Sequence, residues 1–331
     1  MEIESPILVT GAAGFIGSHV AEALVVRGCD VVGYDNFDGF YAEARKRSNI
    51  AEVERAAAGG GGRFRLVEGD ICDAAALEGA LRGCGVRGVI HLAARAGVRP
   101  SIAQPAAYAR TNVEGTTVVL DAAARAGCSR VVAASSSSVY GNNPKVPFAE
   151  SDAVDHPISP YAATKKACEL VGHCQHALTG MPVGMLRFFT VFGPRQRPDL
   201  AIAQFLERVS SGKPIRMFGD GSTSRDYTYV DDIVSGVLSA YERVGAHGYR
   251  VWNLGGNQPV KLSEMIGVIE RVTGRAALIE RAEMQAGDVE RTYADLSRSA
   301  AELGYGPRVS FEEGVRRQWE WMRGVGGVRG A

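Results

Sequence analysis

The sequence predicts an α/β fold, a doubly wound parallel (Rossmann-type) sheet with a smaller α/β substrate-binding lobe. Two observations carry this. Short apolar runs at 7–10, 30–34, 64–67, 88–92, 130–135 and 183–187 alternate with helical stretches, and that alternation is solved by a parallel sheet covered on both faces. A glycine-rich turn, Gly11-Ala-Ala-Gly14-Phe15-Ile16-Gly17, joins the first run to the first helix. In order, Ile7-Leu8-Val9-Thr10 reads as a buried strand. The helix after the turn is patterned by Ile16, Val20, Ala23 and Leu24, and Gly28 ends it. Asp30 to Tyr34 reads as the next strand, with Asp35 at its end. The run from Ala56 to Gly62 reads as a flexible surface loop. Beyond Arg187 the pattern loosens, punctuated by Pro194, Pro198 and Pro214. The expected division is residues 1–188 for the first lobe, re-entered around 229–240, 189–320 for the second, and a mobile tail at 324–331.

With 331 residues, 46% hydrophobic and 22% charged, the chain has the composition of an ordinary globular enzyme and can bury a large core. Zero formal net charge gives no electrostatic case for nucleic acid or an anionic membrane. No apolar run is long enough to span a bilayer and no basic-then-apolar leader opens the chain. Six scattered cysteines without a C-x-x-C pair suit reduced thiols, and the expected location is cytoplasmic. No metal site is expected, since Cys168 and Cys174 lack further ligands nearby.

The glycine turn points to a dinucleotide. Glycines let the backbone approach a pyrophosphate, and the helix amino terminus supplies N–H donors. Strand, glycines, helix and a strand-end acid occur together here, which a lone triplet would not establish. Asp35 suits both adenosine ribose hydroxyls and would repel a 2′-phosphate, so NAD is expected over NADP. Phe15, Ile16 and Asn36 join the same binding set.

Tyr161 and Lys165 sit one helical turn apart in Ser159-Pro160-Tyr161-Ala-Ala-Thr164-Lys165. An ammonium beside a phenol favours the phenolate, which can take the proton of an alcohol while a nicotinamide takes the hydride. Alone, that spacing is too common to carry meaning.

Together these motifs resemble the extended short-chain dehydrogenase/reductase family, and within it the nucleotide-sugar epimerases. The resemblance covers nearly the whole chain. It implies that Gly11, Gly14 and Gly17 form the phosphate loop, that Asp70 and Ile71 meet the adenine, and that Leu92, Ala93 and Ala94 lie along the cofactor. It makes Asn112 the family's structural asparagine, and Ser136, Tyr161 and Lys165 the catalytic set. Related 4,6-dehydratases carry Asp-Glu after the position of Ser136, and related glucuronate decarboxylases a glutamate at the position of Ser138. Here Ser137 and Ser138 stand instead, expected with Ser136 and Thr190 to meet the substrate, and a serine hydroxyl is no acid or base of that strength near neutral pH. Epimerisation is what remains.

For the substrate, a UDP-sugar, Arg225 resembles the diphosphate-binding arginine, whose planar fork suits phosphate. Asp288 resembles the ribose acceptor, and Ala201, Ile202, Arg216, Met217 and Phe218 would line a uracil pocket. Thr190 with Gly193-Pro194-Arg195-Gln196-Arg197-Pro198-Asp199 is similar to the run in UDP-glucuronate 4-epimerases. There Arg197 would meet a C6 carboxylate, or would only pair with Asp199 or the diphosphate; the role of Arg195 is open. The alternatives are a UDP-glucose 4-epimerase, a UDP-glucuronate decarboxylase, or a catalytically silent NAD(H) sensor. The resemblance also implies a homodimer paired through helices at 101–126 and 159–178.

Overall fold

The computed structural model describes residues 3–283 and 289–327. Six strands of the first lobe follow in chain order: Ile7–Thr10 (β1), Val31–Asp35 (β2), Phe64–Glu68 (β3), Gly88–His91 (β4), Val131–Ser136 (β5) and Val183–Phe188 (β6). Thr190–Phe192 (β7), Ile215–Phe218 (β8) and Ser224–Tyr229 (β9) lead into the second lobe, and Tyr249–Leu254 (β10), Pro259–Lys261 (β11) and Ile279–Ala282 (β12) complete the set. The main sheet is parallel throughout, in the order β10-β6-β5-β4-β1-β2-β3. Its strand order reverses between β1 and β4, and open α/β sheets bind ligands at the carboxyl ends of such a switch point.

Burial explains the strand patterns. Every residue of β1, β2 and β4 is buried, because helices cover both faces, so these strands read as continuous apolar runs rather than alternating ones. The Phe15–Val26 helix packs on the Glu43–Ala58 and Val230–Arg243 helices. That last helix and β10 bring the chain back to the first lobe after the excursion through β7, β8 and β9. Six-residue β10 pairs along its whole length with β6.

The second lobe is built from a three-stranded sheet, β11-β9-β7, and a two-stranded one, β12-β8. Helices Ala201–Ser210 and Phe311–Gly327 pack on Leu262–Thr273. Buried Asp226 stitches this lobe together: its carboxylate accepts from the Gly256 and Ala294 N–H groups at 2.7 and 2.9 Å. Burial pushes its pKa up to about 6, against the opposing effect of those backbone bonds.

Two expectations change. The segment Ala56–Gly62 is not a free loop: the helix continues to Ala58, and Gly62 donates to the Val25 carbonyl at 2.7 Å. A Cβ on Gly62 would stand 1.8 Å from the Cys29 carbonyl oxygen, so only glycine lets this turn lie against the Phe15–Val26 helix. Residues 324–327, read as the start of a tail, continue the last helix; 328–331 lie outside the described residues. The turn gives a stability prediction. Gly62→Ala should cost about 1–3 kcal/mol by overpacking and lower the thermal midpoint by several degrees. Gly79→Ala, in the Ala74–Gly83 helix with open space around it, should leave it unchanged or raise it.

Candidate active site

A cavity of about 670 Å³ opens at the carboxyl ends of β1, β2, β4 and β5. Gly11, Gly14, Phe15, Ile16 and Gly17 form part of its floor. The approach there is close. Gly11 has φ +69°, and a Cβ on it would come within 2.8 Å of the Ala93 nitrogen. A Cβ on Gly17 would come within 2.0 Å of the Gly11 carbonyl oxygen. No side chain caps the helix that starts at Phe15, so its first N–H groups are left for an anionic group. Asp35 accepts from Ala13 N at 3.0 Å and Phe37 N at 2.8 Å, which fixes its carboxylate at the cavity wall. Asn36, Asp70, Ile71, Leu92, Ala93 and Ala94 line the same space. These residues fit a dinucleotide: a glycine floor, an uncapped helix start for the diphosphate and an acid for ribose hydroxyls.

Ser136, Tyr161 and Lys165 face the cavity from two elements. Ser159 caps the Pro160–Thr179 helix by accepting from Ala162 N at 3.1 Å, with Pro160 in the first turn. This sets the helix start, and Tyr161 N donates to Ser101 Oγ at 3.1 Å. One turn on, buried Lys165 donates from Nζ to the Ala134 carbonyl at 2.8 Å. Ser136 ends β5; its Oγ accepts from Ser138 N at 3.1 Å, and the turn Ser137–Tyr140 follows. Such a trio can exchange a proton with a hydroxyl and hold it by hydrogen bond.

Sequence reasoning missed what stands behind the trio. Glu169, a further turn along the same helix, forms a two-pronged ion pair with Arg187 of β6, both bonds 2.8 Å, and accepts from Ser135 Oγ at 2.6 Å. Both partners are 3% exposed. A lone acid on an apolar helix face and a lone arginine in the buried run Met185-Leu186-Arg187-Phe188 were the available signals. His91 is a second such group. Thr10 Oγ1 accepts from Leu92 N and Ala93 N, so its proton goes to His91 Nδ1, 2.7 Å away. Nε2–H then donates to Thr116 Oγ1 at 3.1 Å. Burial, and secondarily the Lys165 charge, holds the His91 pKa down to about 3, so the ring beneath the Leu92–Ala94 segment stays neutral. Asn112 does not line the cavity. It is buried and grips the Arg95 backbone, accepting from its N–H at 2.8 Å and donating to its carbonyl at 3.0 Å.

Among the residues expected to meet substrate, Ser136, Ser137, Ser138, Thr190, Arg197 and Arg225 line the cavity. Arg197 spends Nε and Nη2 on Asp199, at 3.0 and 2.6 Å. Burial alone would lower its pKa, but the bond and charge of Asp199 raise it. Arg195 turns away: it pairs with Glu22 at 2.5 Å on the first helix. Its charge adds to burial in holding the neighbouring His19 pKa down to about 4. Ala201, Ile202, Arg216, Met217 and Phe218 are not brought to the cavity. Ile202, Phe205, Leu206 and Val209 form the apolar stripe by which their helix joins the core, leaving Ala201 exposed. In β8, Met217 points into the core and Arg216 outward, while Phe218 lies under the Arg99 guanidinium. Leu200, Val289 and Thr292 reach the cavity instead. Asp288 lies outside the described residues.

The profile of the NAD dependent epimerase/dehydratase family matches residues 7–255. A UDP-glucuronate 4-epimerase of Thermodesulfobacterium geofontis (strain OPF15) is 39% identical, over 96% of this chain and 95% of that protein. UDP-glucuronate 4-epimerase 3 of Arabidopsis thaliana is 40% identical, over 98% of this chain and 78% of that one. The crystal structure of UDP-glucuronic acid 4-epimerase from Bacillus cereus, in complex with UDP-glucuronic acid and NAD, is similar with a TM-score of 0.87 and 34% identity, over 96% and 99% of the two chains. By sequence and by structure, the chain belongs to the NAD dependent epimerase/dehydratase family.

Proposed function

We propose that this protein interconverts UDP-glucuronate and UDP-galacturonate by epimerising C4 through a 4-keto sugar. One observation carries the reading: Ser136, Tyr161 and Lys165 share a cavity with the glycine floor, while the two positions after Ser136 are serine rather than carboxylate. The floor residues Gly11 to Gly17, with Asp35, Asn36, Asp70 and Ile71, would hold NAD, and bound NAD supplies an acceptor for the C4 hydrogen with its electron pair and gives it back. Tyr161 removes the C4 hydroxyl proton as the C–H bond breaks, and returns it when the ketone is reduced on its other face. Ser136 holds the hydroxyl, and Lys165, anchored on the Ala134 carbonyl, keeps its ammonium in the same cavity one turn from Tyr161. Between the two half-reactions the ketone must turn over within the cavity to offer its other face. Arg225 meets the diphosphate, and Thr190 and Arg197 the C6 carboxylate.

In this reading the cofactor lobe is 1–188 with the returning Val230–Leu254 segment, and the sugar-nucleotide lobe runs to about residue 320. Leu170 and Leu178, 56% and 83% exposed on the Pro160–Thr179 helix, support a homodimer through that helix, and six scattered cysteines without a C-x-x-C pair support the cytoplasm as its place.

A second reading has its own support. With two of three Arg197 nitrogens on Asp199, a neutral C6 would suit the site, as in a UDP-glucose 4-epimerase. NMR analysis of products from UDP-glucuronate and UDP-glucose side by side tests both. UDP-galacturonate without added cofactor is the expected product. A pentose product means decarboxylation, stoichiometric free NADH means a plain dehydrogenase, and no product from either sugar favours a silent sensor.

A further inference from the structure

Two charged residues in the cavity wall have no part in this chemistry. Asp38 belongs to the segment that follows β2, and Arg95 to the segment that follows β4. In the sheet β1 lies between those two strands. Any contact joining the two segments must therefore cross the end of β1, where the glycine turn opens. Adjacent strands lie about 4.8 Å apart, so the crossing spans on the order of 10 Å. An arginine meeting an aspartate is long enough to make it. Arg95 Nη2 donates to Asp38 Oδ2 at 2.9 Å.

Both abutments are fixed. On one side, Asn112 holds the Arg95 backbone through its N–H and its carbonyl, and Arg95 Nη1 donates to Gln104 Oε1 at 3.0 Å. On the other, Asp38 N donates to Asn36 Oδ1 at 3.0 Å and Asp38 O accepts from Lys46 Nζ at 2.7 Å. Asp38 Oδ1 accepts from Phe40 N at 3.0 Å, leaving Oδ2 for the arginine. An ion pair between two mobile side chains gains little, because ordering them offsets the attraction. Here most of that ordering is done by the backbone bonds.

We propose that Asp38 and Arg95 form a strap over the glycine turn that slows release of the dinucleotide. The proposal rests on the cofactor reading above. It also adds to the structural role of Asn112, which holds the Arg95 backbone as well as Thr164 of the catalytic helix. A reaction that returns its hydride to the same cofactor gains nothing from exchanging it, so slow release costs the enzyme nothing.

The test is a release measurement, independent of turnover. Protein loaded with labelled NAD is chased with excess unlabelled NAD, and retained label is followed by rapid gel filtration. Wild type, Asp38→Asn, Arg95→Gln and the double variant are compared, with thermal unfolding as a check on the fold. Each single variant should release label about tenfold faster, the effect of losing roughly 1.4 kcal/mol. The double variant should be no faster than either single one, because the same bond is lost each time. Moderate salt should speed release from wild type and affect the variants less. Multiplying effects in the double variant would mean that Arg95 and Asp38 act separately, and would overturn the strap. So would release at the wild-type rate from both single variants. Failure of wild type to hold any NAD would remove the cofactor reading itself, a different and recognisable result.

Discussion

Tyr161→Phe lowers turnover of UDP-glucuronate by at least about 10²–10⁴-fold, the contribution of a positioned acid–base group, and leaves the fold and NAD content intact. The substitution removes one oxygen. The contacts that place the residue survive it: Tyr161 N still donates to Ser101 Oγ, and the ring still meets Tyr108 edge-on with centroids 6.3 Å apart. Lys165 keeps its bond to the Ala134 carbonyl. Only the proton carrier is lost. The measurements are initial rates by NMR, circular dichroism, and NAD content after purification. Near-normal turnover would mean that another group moves the proton.

Arg197→Ala has the second largest expected effect, and it falls on the choice of sugar. A charge-assisted bond to a carboxylate contributes about 1.5–3 kcal/mol, or roughly 10- to 100-fold in affinity. Calorimetry should show that loss for UDP-glucuronate and little change for UDP alone. Thr190→Val should act in the same direction, more weakly. A product effect should accompany it. The oxidised intermediate carries a ketone at C4 and a carboxylate on C5, and such β-keto acids lose carbon dioxide when the C5–C6 bond aligns with the ketone π system. Holding the carboxylate out of that alignment is positional control. With Arg197 gone, a pentose product should leak out, detectable by mass. The partner Asp199 is 40% exposed, so water can solvate it in the variant. Unchanged affinity and turnover would withdraw the acid-sugar assignment and leave the UDP-glucose reading.

Local patterns were legible in the sequence, and pairings between distant elements were not. The glycine turn, Asp35, Tyr161 and Lys165 lie in short segments whose spacing carries their chemistry. Glu169 and Arg187 are each ordinary alone, and only packing of the helix on β5 and β6 makes them one buried group. Strand β10 escaped for a related reason. Its run Tyr249-Arg250-Val251-Trp252-Asn253-Leu254 is broken by Arg250 and Asn253. Arg250 is matched by Glu302, and the Asn253 side chain bonds Tyr140 and the carbonyls of Phe148 and Asp295. The expected uracil pocket rested on resemblance alone, and Ile202 and Met217 face the core rather than the cavity. The stripe at 202, 205, 206 and 209 was itself a core signal.

The late arrival of β10 has a consequence for synthesis. Ribosomes add about 5–20 residues per second, so several seconds pass between the emergence of Phe188 and that of Tyr249. During that interval β6 is an open sheet edge, presenting the backbone beside buried Val183, Met185 and Leu186. Open apolar edges recruit other chains. A nascent chain released before Leu254 would be sticky rather than half-competent. Cutting the gene at residue 189 to obtain the first lobe alone would therefore yield aggregate, and a workable split must keep residues 249–254 with the strands they close.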